Sequence, residues 1–142
     1  MCGGDICSLT ILKYLEDNTS ADAATLLDEC REQLARAMQC REDYLSSQDF
    51  NFADSIAYLG DEGFIELQED KGREAILYLV NQMRAAQHGW RATENPFNAK
   101  IVLTKKFKLL QHHLGLCLAE LHDNYIYGKY VPDSDKLKDW GI

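Results

Sequence analysis

Apolar residues recur at helical spacing in two long stretches of this chain. Between Ser20 and Ser47, the residues Ala23, Leu27, Cys30, Leu34, Met38 and Leu45 return to one side of an α-helix, and no glycine or proline interrupts them. At a rise of about 1.5 Å per residue, that helix would run roughly 40 Å. With one apolar stripe it is unstable alone in water and must lie against another element along most of its length. Arg41 intrudes on the stripe, which fits a helix that reaches the domain edge there and returns the guanidinium to water, or one that pairs Arg41 with a carboxylate. The second stripe, Phe107, Leu110, Leu114, Leu118, Leu121 and Tyr125, opens at a capping Thr104 and predicts the helix that mates with the first.

Shorter elements fill the intervals. Ile6 to Glu16, with Ile6, Leu9 and Leu12 turned inward, predicts a helix that breaks at Asp17-Asn18-Thr19-Ser20, where Thr19 or Ser20 can cap the long helix. Asp49 is a second cap, for a helix from Phe50 to Leu59 closed by Gly60 in the left-handed position. Phe64, Ile65 and Leu67 suit a short strand. Arg73 to His88 carries Ile76, Leu79, Val80 and Met83 at helical spacing, although Ala75–Val80 alone also suits a buried strand returning from Phe64–Leu67. Gly89 to Ala99 is a loop, and Ile101-Val102-Leu103 is either a strand or the start of the last helix.

These elements predict a mainly α domain, a bundle or hairpin of about five helices with at most one small β-hairpin, spanning residues 1–125. Residues 126–142 form an aromatic, charged arm packed on the domain or on a partner. A chain of 142 residues can bury such a core without disulfides. The cysteines at 2, 7, 30, 40 and 117 include no C-x-x-C pair, so reduced thiols in a cytoplasmic protein are expected, with Cys30 and Cys117 as small core residues. No apolar run is long enough to span a bilayer, and the first dozen residues lack the basic start of a secretory signal.

Charge separates along the chain. Sixteen acidic residues oppose five basic ones through Lys71, whereas seven oppose ten from Gly72 onward. An acidic front half repels phosphate and favours a partner with a basic surface. The expected function is therefore that of a non-enzymatic acidic binding protein that regulates or inhibits another macromolecule. Glu29, Glu32, Glu42, Asp43, Asp61 and Glu62 would offer carboxylates where a nucleic-acid-binding groove takes phosphates, and Tyr127, Tyr130 and Trp140 would supply aromatic anchors. The heptad-like spacing of the long helix also suits a homodimer seam.

Chemistry-bearing residues are sparse. His113, Cys117 and Glu120, four and three residues apart, would share one strip of the last helix, and an imidazole, a thiolate and a carboxylate can hold a transition metal. Packing and edge hydrogen bonds account for the same residues more simply. His113 and Cys117 also pair as base and nucleophile, yet no glycine-flanked elbow, oxyanion donor or orienting third group accompanies them. Gly60, Gly63 and Gly72 precede no helix in a phosphate-binding pattern. Catalysis and a cofactor are not expected.

The succession of a helix at Phe50–Leu59, the segment Tyr58-Leu59-Gly60-Asp61-Glu62-Gly63-Phe64-Ile65-Glu66-Leu67 and then Ile101-Val102-Leu103-Thr104 resembles the recognition helix, wing and closing strand of winged-helix regulators. The resemblance implies a DNA-binding transcriptional regulator. The segment in the place of the recognition helix departs from the pattern in holding no Lys or Arg, which disfavours groove binding. Lys100, Lys105, Lys106 and Lys108, with Arg84 and Arg91, can either touch phosphate or neutralise the acidic half across a subunit contact, and the second is favoured.

Overall fold

The computed structural model describes residues 3–38, 52–87 and 96–126. Helix α1 (Gly3–Asn18) is followed by strand β1 (Ser20–Asp22), α2 (Ala23–Met38), α3 (Phe52–Asp61), β2 (Ile65–Leu67), α4 (Arg73–Gln87), a 3-10 turn at Pro96–Asn98, β3 (Lys100–Leu103), α5 (Lys105–Leu114) and α6 (Leu118–Ile126). The fold is mainly α, as the hydrophobic periodicity predicts.

Helix α1 is the centre. Every residue from Ile6 to Leu12 is buried, Ser8 and Thr10 included, because α2, α3, α6 and β3 surround it. The sequence predicts only one inward face here, and it assigns the organising role to the helix after Ser20. That helix instead begins at Ala23 and lies chiefly along α1; of its expected mate, the helix from Thr104 to Tyr125, the second half, α6, meets it. Ser20, Ala21 and Asp22 are strand, so the cap shifts from Thr19 or Ser20 to Asp22, whose Oδ1 accepts from Thr25 Oγ1 at 2.5 Å. This bond lowers the Asp22 pKa. The break near Asn18 is where the sequence puts it, with Thr19 at a φ of 65° and its N–H closing on Leu15 O.

The three strands form one antiparallel sheet in the order β1-β3-β2. Ser20 lies opposite Val102 and Asp22 opposite Lys100, while Ile65 lies opposite Leu103 and Leu67 opposite Ile101. Phe64–Leu67 therefore does not form a hairpin with Ala75–Val80, which is helical. It pairs with a strand more than thirty residues further on. Strand β3 is central, and Ile101 is fully buried. The resulting core also takes Leu26 and Leu34 from α2, Ile56 and Leu59 from α3, Ile76 and Met83 from α4, Phe107 from α5 and Leu118 from α6.

Two glycines set where helices stop. Gly60 was the expected left-handed terminator, but α3 runs through it, and the positive φ of 76° falls on Gly63. Phe64 N–H donates to Leu59 O and Gly63 N–H to Gly60 O, closing the helix with paired back-bonds. Gly115 repeats the arrangement at φ 63°, with Leu116 N–H on Gln111 O and Gly115 N–H on His112 O. The last helix of the sequence reading is thereby split into α5 and α6. No described helix is long and apolar enough to cross a membrane.

Candidate functional site

The Gly115 break dismantles the one-helix strip of metal-type ligands. His113 ends α5, Cys117 lies in the connection and Glu120 is in the first turn of α6, all three exposed. No group of three His, Cys, Asp or Glu side chains among the described residues is placed to hold a metal ion. Cys117 is exposed rather than part of the core. Cys30 is buried as expected, its Sγ donating to Cys7 O at 3.5 Å, and burial pushes its thiol well above the usual range. Such a thiol packs and does not attack.

The histidine that the fold does use is His122. Its ring is 4% exposed between α6, α1 and α2, with Nε2 at 3.0 Å from Thr10 Oγ1 and Nδ1 buried without a hydrogen-bond partner. Burial lowers its pKa and Lys13 adds to the effect, outweighing Asp123 at 3.8 Å from Nδ1. The imidazole is neutral at neutral pH and pins α6 to α1. The sequence offers no sign of a pair 112 residues apart.

The structure sorts the predicted acidic residues into two groups. On α2, Glu32 accepts from Arg36 Nη2 at 3.2 Å and Asp28 from Arg31 at 3.4 Å. Glu29 is half-buried, its carboxyl pushed up by burial and then by Glu32 against the pull of Lys13 and Arg36. This face is therefore largely neutralised within its own helix. Asp61 instead ends α3 and Glu62 follows it, and Asp61 meets Arg73 at the start of α4. Six carboxylates fall between residues 61 and 74 (Asp61, Glu62, Glu66, Glu69, Asp70 and Glu74) against Lys71 and Arg73, and Arg73 is committed to Asp61. Glu69, Asp70 and Glu74 are exposed, which makes this edge the stronger acidic surface. Glu42, Asp43, Tyr127, Tyr130 and Trp140, like Arg41 and Asp49, lie outside the described residues.

The helix, the segment after it and the later strand on which the winged-helix resemblance rests fold as α3, β2 and β3, with α4 between β2 and β3. Helix α4 packs along α3, and Ile76 comes so close that a Cβ on Gly60 would lie 2.6 Å from its Cγ2. Arg73 at the start of α4 pairs with Asp61 at the end of α3, and Arg84 pairs with Asp54 at the opposite ends at 2.5 Å. The two helices are thus antiparallel, and the outward carboxylates of α3 are held by α4 on either side of Tyr58. The arginines of such a strip are already paired with carboxylates, which disfavours contact with a phosphate backbone.

Opposite charge collects on α5. Thr104 Oγ1 caps it by accepting from Phe107 N–H at 3.1 Å and donating to Gly63 O at 2.5 Å. Phe107 anchors it against Phe64, ring centroids 5.3 Å apart, and Lys106 Nζ donates to Glu62 O at 2.6 Å while standing 5.8 Å from the Phe64 ring. Lys105, Lys108 and Leu109 face solvent, Leu109 with 69% of its surface exposed. Family models, curated proteins and solved structures were each searched with this chain, and none matches.

Proposed function

We propose that this is a non-enzymatic binding protein that regulates another macromolecule by presenting the acidic edge of residues 61–74 to a basic surface. The observation that supports this most is the accumulation of exposed Glu69, Asp70 and Glu74 at the β2–α4 turn, with only Lys71 and the committed Arg73 opposing them. Carboxylates so arranged compete for cations that otherwise meet phosphate, and their effect reaches about 10 Å at 0.1 M salt. The α2 carboxylates, paired with arginines one turn away, contribute little beyond solubility. On α3, Asp61 and Asp54 are already paired with Arg73 and Arg84, which leaves the turn before α4 as the stronger attractant for cations.

The test is affinity capture from the native host with the wild-type chain and with an Asp70→Lys, Glu74→Lys variant. A partner retained by the wild type, released by salt and lost by the variant supports the proposal. Capture that is indifferent to both reversals defeats it. The strand order and the three lysines of α5 favour a second proposal, a DNA-binding regulator. It predicts binding to duplex DNA at low salt that weakens in a Lys105→Glu, Lys108→Glu variant, and no binding at low salt sinks it.

A further inference from the structure

We infer that the basic face of α5 docks on the acidic edge of a second copy of this chain, so that the protein masks its own binding edge in a symmetric dimer. The inference rests on the proposal that this edge is a docking surface, and it names one occupant for it. Two outward helix faces have the complementary chemistry. On α4, Glu74 and Tyr78 are one turn apart and point away from the core residues Ile76, Leu79, Val80 and Met83; Tyr78 is 66% exposed, and Glu69 and Asp70 precede it in the turn. On α5, Lys105, Leu109 and His112 point away from Phe107, with Lys108 beside them. Each face sets one exposed apolar side chain among charges mostly of one sign, with Lys71 and the paired Arg73 the exceptions on the acidic side.

Both faces converge on the same short turn. Asp61 holds Arg73 at the start of α4, Glu62 O accepts from Lys106, and Gly63 O accepts from Thr104 at the start of α5. The amino ends of α4 and α5 therefore flank residues 61–63. Neighbouring patches of opposite charge are self-complementary: a two-fold axis between them lays the α5 of each copy on the α4 of the other. An independent feature points the same way. Lys105, Lys106 and Lys108 occupy the first turn of α5, where the helix dipole already presents positive charge, and no acidic residue relieves them within that helix. Carboxylates from a second copy would.

Sedimentation of the full chain at low and high salt tests this, with circular dichroism to confirm that each variant folds. The wild type is expected to dimerise reversibly and to dissociate as salt rises. Leu109→Ala and Tyr78→Ala should each weaken the dimer about tenfold to a hundredfold. Lys105→Glu with Lys108→Glu makes both faces acidic, and Asp70→Lys with Glu74→Lys makes both basic, so each variant alone is expected to be monomeric. Mixed in equal amounts they should form a heterodimer, and all four substitutions in one chain should restore the homodimer. A wild type that stays monomeric at low salt overturns the inference, as does a mixture that fails to associate. A monomer that still captures a basic partner through Asp70 and Glu74 overturns self-docking alone and leaves the proposed function standing. Dimerisation through these faces, with capture unaffected by the reversals, removes the proposed function alone.

Discussion

Replacing Gly60 by alanine sets helix propensity against packing, and the sign of the result reports how closely α4 covers α3. Within a helix the substitution is ordinarily favourable by about 1 kcal/mol. Here the new methyl would sit 2.6 Å from Ile76 Cγ2 and 3.5 Å from Cγ1 and Cδ1. Carbon atoms rest at about 3.5–4.0 Å, so the first contact demands roughly an ångström of separation. Ile76 cannot yield by turning, because it is fully buried and a β-branched side chain in a helix keeps one strongly preferred rotamer. Overpacking of this kind costs about 1–3 kcal/mol, leaving a net loss of about 0–2 kcal/mol after the propensity gain.

Urea unfolding followed by circular dichroism measures the loss, and a double-mutant cycle assigns it. Ile76→Ala alone should cost about 2–5 kcal/mol. With Gly60→Ala in the same chain, the added methyl occupies space that Ile76 vacated, so the double variant should be about 1–2 kcal/mol more stable than the sum of the two losses. A Gly60→Ala variant stabilised by the full propensity gain, with additive effects in the cycle, would falsify the close α3–α4 contact.

Other contacts give equally definite expectations. Because burial lowers the His122 pKa below its ordinary 6.5, the unfolded chain takes up the proton first; the stabilisation from the neutral ring is complete above about pH 6.5 and is lost as pH falls from there through the folded value. Urea midpoints for the wild type and His122→Asn should therefore converge on acidification, and parallel pH profiles would show that the ring does not titrate against folding. Thr104→Val removes both the α5 cap and the bond to Gly63 O, which should cost about 1–2 kcal/mol, while Thr104→Ser should keep most of it in thermal melts. Arg84→Ala and Arg73→Ala break exposed ion pairs and should each cost at most about 1 kcal/mol, a difference that high salt erases.

Local signals carried much of the fold and little of the site. The break at Asn18, the helical reading of Arg73 to His88, which holds through Gln87, and the Thr104 cap all follow from residues within a turn of one another. Strand β1 does not, because Ser20-Ala21-Asp22 becomes a strand only through partners at 100–102, and its composition reads as a helix cap. The split of α5 from α6 was hidden for the opposite reason. Leucines at 110, 114, 118 and 121 continue a helical stripe across Gly115, which a helix tolerates, yet the left-handed glycine with its two back-bonds is the more stable ending. That single break separates His113, Cys117 and Glu120. The Thr10–His122 pair and the ion pairs between α3 and α4 join distant segments, so no periodicity could announce them.

The charge arithmetic of the sequence acquires a direction only when the helices are placed. A front half with an acidic excess suggests one broad negative surface, but α2 neutralises its carboxylates with its own arginines and α4 holds those of α3. Among the described residues, the densest unpaired charge lies on outward faces at the two sides of a three-residue turn: carboxylates with Tyr78 on one, lysines with Leu109 on the other. Helix α4, lying between β2 and β3 in the chain, thus pairs the α3 carboxylates with its own arginines and at the same time carries an acidic edge beside a basic helix. Both consequences come from one helix, which Ile76, Val80 and Met83 tie into the core.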